Sequence, residues 1–308
     1  MSKPYVFFEI TSRTFQERFL LKPSRQLNSL LLGVIGFALS KPEFSSIHLH
    51  TFKFASDHFH ILLSGPDQAT ISAFVGFIKS NMAREANLVT GWNARFWSRR
   101  FDQIPVLDQE SLVGKVRYIL SHGCKENLVM RPADWPGISC EQALARGKKL
   151  KGVWYDRTAY HEARRKGKQV TLEDFATVYE VPLQPLPFLK GMPRCQVHNF
   201  YRDMLADIEA ETRERHRREK TRPLGTAKVL AEDPFDRPRN PKRGPAPLCH
   251  ASSAEAREEY IGLYRAFVAA YRLAAAKLRQ GVATVTFPEN CFPPPLPARG
   301  FSFSGVPP

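Results

Sequence analysis

Two histidines separated by one bulky apolar residue, in Asp57-His58-Phe59-His60-Ile61-Leu62-Leu63, have the spacing that points most directly to chemistry in this chain. In a strand, successive side chains point to opposite faces, so His58 and His60 share one face while Phe59, Ile61 and Leu63 pack on the other. At about 3.3 Å per residue the two imidazoles stand roughly 7 Å apart on a stiff element and can share a divalent ion. Such a pair needs a third ligand and a reacting group, and Lys115-Val116-Arg117-Tyr118-Ile119-Leu120-Ser121-His122 offers both. Stepped at about 100° per residue, this stretch reads as a helix with Leu112, Val113, Val116, Ile119 and Leu120 on one arc. Tyr118 and His122 fall on the opposite side with Lys115 beside them. Residues four apart stack on one helix face, so the phenol and the imidazole approach the same point. Packed near the His58 strand, this helix makes a three-histidine metal site with a tyrosine hydroxyl next to it.

Four pieces occur in order: His58-Phe59-His60, then Arg95-Phe96-Trp97 after a long helix, then Val116-Arg117-Tyr118-Ile119, then Arg131-Pro132-Ala133-Asp134-Trp135-Pro136. In these pieces the chain resembles the REP-associated tyrosine transposases, members of the single-tyrosine HUH (histidine, hydrophobic, histidine) superfamily of insertion-sequence transposases. The resemblance covers roughly residues 5 to 142. It implies that His58 and His60 are metal ligands, that Tyr118 is the nucleophile, and that magnesium or manganese is the cofactor. It also implies single-stranded or hairpin-bearing DNA as substrate, cut and rejoined through a 5′-phosphotyrosine link, by a homodimer or a monomer. The family usually has Asn-Pro after the tyrosine, with the Asn helping to hold the metal; here His122-Gly123 stands instead, and His122 is a competent ligand. Three imidazoles on their own would equally suit zinc, nickel or iron. Two other classes stay open: a catalytically inactive, domesticated DNA-binding protein of the same fold, and a metal-dependent hydrolase that uses water.

The chain has 308 residues, long enough for one catalytic domain and an extension, which we divide at 1–145 and 146–308. Formal charge is +15, with +4 in the first part and +11 in the second, a balance that suits polyanions. The second part therefore reads as a basic, largely helical, DNA-docking region. Five scattered cysteines without CxxC spacing suit a reducing cytoplasm, and a nucleoid-associated cytoplasmic protein is expected. Cys195-x-x-His198 with Cys249-His250 is a weaker zinc alternative. The apolar run Leu30 to Leu39 is too short to span a bilayer and reads as a buried helix, so no membrane association is expected.

In chain order, Tyr5–Ile10 reads as a strand with Phe19-Leu20-Leu21 as a hairpin extension. Ser24 caps a helix through Ser40, and Ser46–Phe54 precedes the His58 strand. His48-Leu49-His50 on that earlier strand is a rival ligand pair. Gln68–Asn87 is an amphipathic helix burying Ile71, Phe74, Val75, Phe77 and Ile78. Gly91–Val106 carries Arg95, Trp97, Arg99 and Arg100, where aromatics among arginines suit stacking on unpaired bases or, equally, a core-filling strand. Lys115, Arg117, Lys148 and Lys149 complete the candidate DNA contacts. The element order suggests an α+β fold, a ferredoxin-like antiparallel sheet with helices on one face. Its other face would then lie open to DNA. Further on come a Pro- and Arg-rich linker over Pro234–Pro247, a helix over Ser253–Arg279 with Ile261, Tyr264, Phe267, Val268 and Tyr271 inward, and a Pro-rich tail from Phe287.

Overall fold

Strand β1 (Val6–Arg13) is followed by helix α1 (Arg25–Leu39), strands β2 (His48–Phe54) and β3 (His58–Gly65), helix α2 (Gln68–Thr90) and strand β4 (Asp102–Val106). These coordinates are a computed structural model that describes residues 6–238, 246–282, 284–289 and 291–295. The four strands form one antiparallel sheet in the order β2-β3-β1-β4, the ferredoxin-like arrangement in which each βαβ crossover leaves room for one strand between its two. Helix α3 (Gln109–Ser121) then leaves the edge strand. Local chemistry sets the helix starts: Ser24, Asp67 and Asp108 each accept a hydrogen bond from the backbone N–H three residues on. Gly91, at φ +72°, ends α2 in the left-handed conformation that glycine adopts at least cost.

The two faces of the sheet have different coverings. Phe8, Ile10, Phe52, Phe59, Ile61 and Leu63 join the core with α1 and α2. The opposite face is not left open. α3 lies on it over β2 and β3, so the surface the sequence left for DNA is partly filled by the tyrosine-bearing helix itself.

Past α3 come α4 (Glu141–Arg146), β5 (Leu150–Tyr155), α5 (Arg157–Arg165), β6 (Ala176–Val181), α6 (Arg194–Glu219) and α7 (Thr226–Ala231). Although mainly helical, this region contains an antiparallel β5–β6 hairpin, its strands joined through α5, that composition did not predict. The hairpin backbone packs directly on α1 at Gly33 and Gly36. A Cβ at Gly33 would run into the Val153 carbonyl, and one at Gly36 would meet Tyr179. Trp154 stacks on Phe37 with ring centroids 4.3 Å apart. α6 buries one stripe, Tyr201, Met204, Ile208, Thr212 and His216, against α4 and α3, which accounts for a helix otherwise dense in charge.

Several sequence expectations need correction. β1 runs to Arg13, while Tyr5 lies outside the described residues. Phe19-Leu20-Leu21 forms no hairpin: positive φ at Gln16 and Glu17 turns the chain, and Leu20 and Leu21 plug the core. Residues 239–245 of the proposed linker, and Asn290 and 296–308 of the tail, lie outside the described residues.

The chain divides into compact units at 1–251 and 252–308. The second unit contains α8 (Ala254–Arg279), as read from sequence, but Tyr264 and Phe267 of its expected inward face are exposed. A periodic pattern says which side of a helix is apolar, not whether anything covers it. Among the described residues of that unit, Tyr271 meets the Phe287 ring at 5.5 Å and donates to the Phe292 carbonyl. No helix among the described residues is long and apolar enough to cross a membrane.

Candidate active site

The alternation of β3 puts His58 and His60 on the α3 side of the sheet, and the end of α3 brings His122 to them. Ring centroids are 5.1 Å apart for His58 and His60, 4.7 Å for His58 and His122, and 4.9 Å for His60 and His122. One ligand nitrogen from each ring lies within 4.8 Å of the others.

Each imidazole has its own carboxylate. Asp57 Oδ1 is 2.6 Å from His58 Nδ1, Glu9 Oε1 is 3.0 Å from His60 Nδ1, and Glu126 Oε1 is 3.2 Å from His122 Nδ1. A carboxylate at Nδ1 fixes the ring orientation and leaves Nε2 as the ligand atom, the usual outer layer of a histidine metal site. Both ring nitrogens of His122 are buried without a hydrogen bond of good geometry, Glu126 standing off Nδ1 as an ion-pair partner, and the free Nε2 costs free energy unless a cation or water satisfies it. The residues therefore fit a divalent ion.

The electrostatics divide the three rings. Burial works against a charged His58, but Asp57 outweighs it and holds the ring above its ordinary pKa. Burial pulls His60 down to about 4 in spite of Glu9, and lowers His122 in spite of Glu126. Burial also works to raise Glu9; hydrogen bonds from His250 and His60, with the charges of His60 and Lys115, overcome it and hold that carboxyl far below the usual range. Burial thus favours the neutral, ligand-competent form of His60 and His122.

Tyr118 sits one helical turn before His122, its ring 5.4 Å from that of His60 and 6.1 Å from that of His122. Lys115 Nζ and Lys125 Nζ lie 4.4 and 4.6 Å from the ring centre. Burial, followed by the charges of Glu126 and Glu9, raises the phenol pKa.

The departure at 122–123 has a structural account. Gly123 has φ +92°, which proline cannot adopt, and its N–H donates to Glu126. Glu126 thus holds both the turn and the third imidazole. Lys53, opposite His60 in the β2–β3 register, pairs with Glu141 at 2.6 Å and donates to the Leu120 carbonyl, tying the last turn of α3 to the sheet.

The rival pair does not form a cluster, and His58, His60 and His122 are the sole metal-ligand group found among the described residues. His198 lies beside Gly147 and His250 beside Glu9, so the Cys195–His198 and Cys249–His250 pairs do not converge on one zinc site. Cys124, Cys140, Cys195 and Cys291 are free thiols.

The candidate DNA contacts are dispersed. Lys115 pairs with Glu9 at 2.9 Å inside the site. Arg117 points to α6, pairing with Glu211 at 2.6 Å and Asp207 at 3.8 Å. Lys148 and Lys149 are exposed beyond α4, Lys149 with Glu180 at 3.0 Å. Arg95, Trp97, Arg99 and Arg100 line, with Lys79 and Phe101, an open groove of about 570 Å³ beside α2. Trp97 is half-buried there: its ring meets Phe59 and its Nε1 donates to the Lys79 carbonyl. Phe96 belongs to the core.

Sequence reasoning assigned no role to Asp57, Glu9, Glu126 or Lys125, and placed His250 only in the zinc alternative that the structure does not assemble. Glu9 is a lone acid in an apolar strand, Asp57 adjoins His58, and Glu126 is one helical turn past His122. Each of these was a usable signal.

Residues 40–122 match the family described as transposase IS200 like. The matched segment is about a quarter of the chain and contains both strand histidines, Tyr118 and His122. It bears out the resemblance read from the sequence and supports a transposase-like activity on DNA. Among solved structures, a REP-associated tyrosine transposase bound to a REP hairpin aligns at 19% identity and TM-score 0.37, over 48% of this chain and 86% of that one. A candidate transposase from Deinococcus radiodurans aligns at 16% identity and TM-score 0.28, over 38% and 89%. A search of curated proteins returned no match.

Proposed function

We propose that this chain cuts and rejoins single-stranded, hairpin-bearing DNA by transesterification, with Tyr118 as the nucleophile. The observation that carries this reading is one phenol beside three carboxylate-backed imidazoles. His58, His60 and His122 would hold a divalent cation, whose charge would polarise the oxygens of the scissile phosphate. An all-imidazole set suits manganese better than magnesium, which prefers oxygen ligands.

The remaining chemistry falls to the chain itself. Ionising a phenol of ordinary pKa at pH 7 costs about 4 kcal/mol, and the burial of Tyr118 adds to that. The charge of Arg13 offsets part of the cost, and Lys115 and Lys125 lie against the ring. Tyr118 Oη forms a bond to phosphorus, the bond to the 3′-oxygen breaks, and that oxygen leaves as a hydroxyl after taking a proton. The reverse attack by a 3′-hydroxyl restores the strand, so rejoining needs no external energy source.

Residues 1–145 act in this reading as the catalytic domain and 146–308 as a DNA-docking extension, in the cytoplasm at the nucleoid, as a monomer or homodimer. The groove beside α2, with Arg95, Arg99 and Arg100, suits a phosphodiester strand. In α6 the charge is less available, because Arg213 pairs with Glu209 and Arg217 with Glu214. The alternative of a silent DNA-binding protein drew on the missing Asn-Pro; the position of His122 beside the other imidazoles weighs against it.

The test is adduct formation on a denaturing gel with a panel of hairpin-bearing single strands, with and without manganese. Wild type should form a metal-dependent, denaturation-resistant adduct and Tyr118→Phe none. An adduct from Tyr118→Phe sinks the assignment.

A further inference from the structure

Glu9 is almost completely buried, 3% exposed, yet three donors converge on it. Its Oε1 faces His60 Nδ1; its Oε2 is 2.9 Å from Lys115 Nζ and 2.6 Å from His250 Nε2. His250 reaches it from 241 residues further along the chain. The backbone shows how it is delivered. β4 is an edge strand of the sheet, and the chain at His250 lies parallel beside it, in a bridge to Val106. The His250 N–H donates to the Pro105 carbonyl at 2.8 Å, and the Leu107 N–H donates to the His250 carbonyl at 2.9 Å. Two backbone hydrogen bonds therefore clamp this residue to the edge and turn its ring inward across β4 to β1.

We infer that His250 is a positioning residue for the histidine cluster: it holds the Glu9 carboxylate in line with His60, so that the outer layer of the site is completed by the far end of the first compact unit. The inference rests on reading His58, His60 and His122 as a cation site. With a donor on each oxygen, the carboxylate cannot rotate away from His60 Nδ1. That contact keeps the proton on Nδ1 and the Nε2 lone pair directed at the other two rings. Without His250, only Lys115 remains on Oε2, and a flexible lysine chain can follow the carboxylate out of line. The catalytic region is then not self-contained at residue 145.

Two measurements on the full chain test this. The first is long-range proton–nitrogen NMR of the imidazoles in metal-free protein. His60 should be the Nδ1–H tautomer in wild type and in His250→Gln, whose amide N–H can replace the lost donor, and a tautomer mixture in His250→Ala. The second is manganese binding without DNA, followed by the EPR signal of the free ion. His250→Ala should bind about tenfold or more weakly, the usual effect of removing an outer partner of a ligand, and His250→Gln should stay near wild type. If His250→Ala leaves both the tautomer and the affinity unchanged, or if the Ala and Gln variants lose both equally, the inference is overturned. If wild type binds no manganese but the tautomer still responds to His250→Ala, the cation site fails and the positioning role stands.

Discussion

Two His-x-His sequences lie on neighbouring strands of one sheet, and only one of them gathers a third imidazole. In His48-Leu49-His50 the register shifts between Leu49 and Thr51, a bulge that breaks the simple alternation. Both nitrogens of His50 are already engaged, Nδ1 with the Gln184 carbonyl at 3.0 Å and Nε2 with Ser64 Oγ at 2.9 Å. In His58-Phe59-His60 the ladder is regular, carboxylates take the Nδ1 atoms, and the other nitrogens face His122. The residue types are the same in both pairs. A histidine pair becomes a ligand pair when its neighbours spend one ring nitrogen and leave the other.

The largest expected effect breaks the comparison at the site itself. His60→Ala should cut adduct formation by at least about 10²–10³-fold, the size seen when one charge-stabilising group is removed from an active site. His50→Ala should leave the rate near wild type while lowering stability, because Ser64 Oγ and the Gln184 carbonyl lose a partner. Parallel gel assays and denaturant melts check both.

Next comes the tie between strand and helix. Lys53→Met leaves Glu141 as a buried, unpaired carboxylate and frees the Leu120 carbonyl, and should cost about 3–5 kcal/mol in urea unfolding. Adduct formation should fall at temperatures where the variant is still folded, because the end of α3 carries His122.

A pH scan sharpens the comparison from the other side. Burial holds His50 at about 4 in the folded chain against an ordinary 6.5. The unfolded chain therefore binds the extra proton first as pH falls, so this stability is complete above about 6.5 and lost toward 4. His50 alone contributes roughly 3 kcal/mol to that loss. His50→Gln should flatten the acid limb of stability against pH, as followed by denaturant melts at each pH.

The smallest effect concerns the turn after His122. Gly123→Ala forces an L side chain into φ +92° and should cost about 1–2 kcal/mol, with a modest loss of manganese affinity as the strained backbone moves its N–H off Glu126. Calorimetric melting and manganese titration read these two changes.

Much of this was legible in the sequence, for identifiable reasons. Periods of 2.0 and 3.6 residues put His58 with His60 and Tyr118 with His122 before any fold was known, and Ser24 marked the start of α1 correctly. The order of elements was enough to infer the ferredoxin-like sheet. The carboxylates were harder: Glu9 stands out as a lone acid in an apolar strand, but its partner His60 lies on the paired strand β3, some fifty residues on, and the chain alone does not state that pairing. For His250 the local signal, Cys249-His250, pointed to zinc, since its contact with Glu9 spans most of the chain. The β5–β6 hairpin was hidden because its alternation in Leu150–Tyr155 was read for basic and aromatic residues, while its counterpart, Gly33 and Gly36, lay in a helix over a hundred residues earlier. Charge showed where arginines were, not that Arg117 was already paired with Glu211.

Diffraction from crystals soaked in manganese, recorded where that metal scatters anomalously, locates the cation without recourse to activity. One anomalous peak enclosed by His58, His60 and His122, with Tyr118 alongside, is the predicted result. A peak at His48 and His50, or none at the three-histidine cluster, would contradict it.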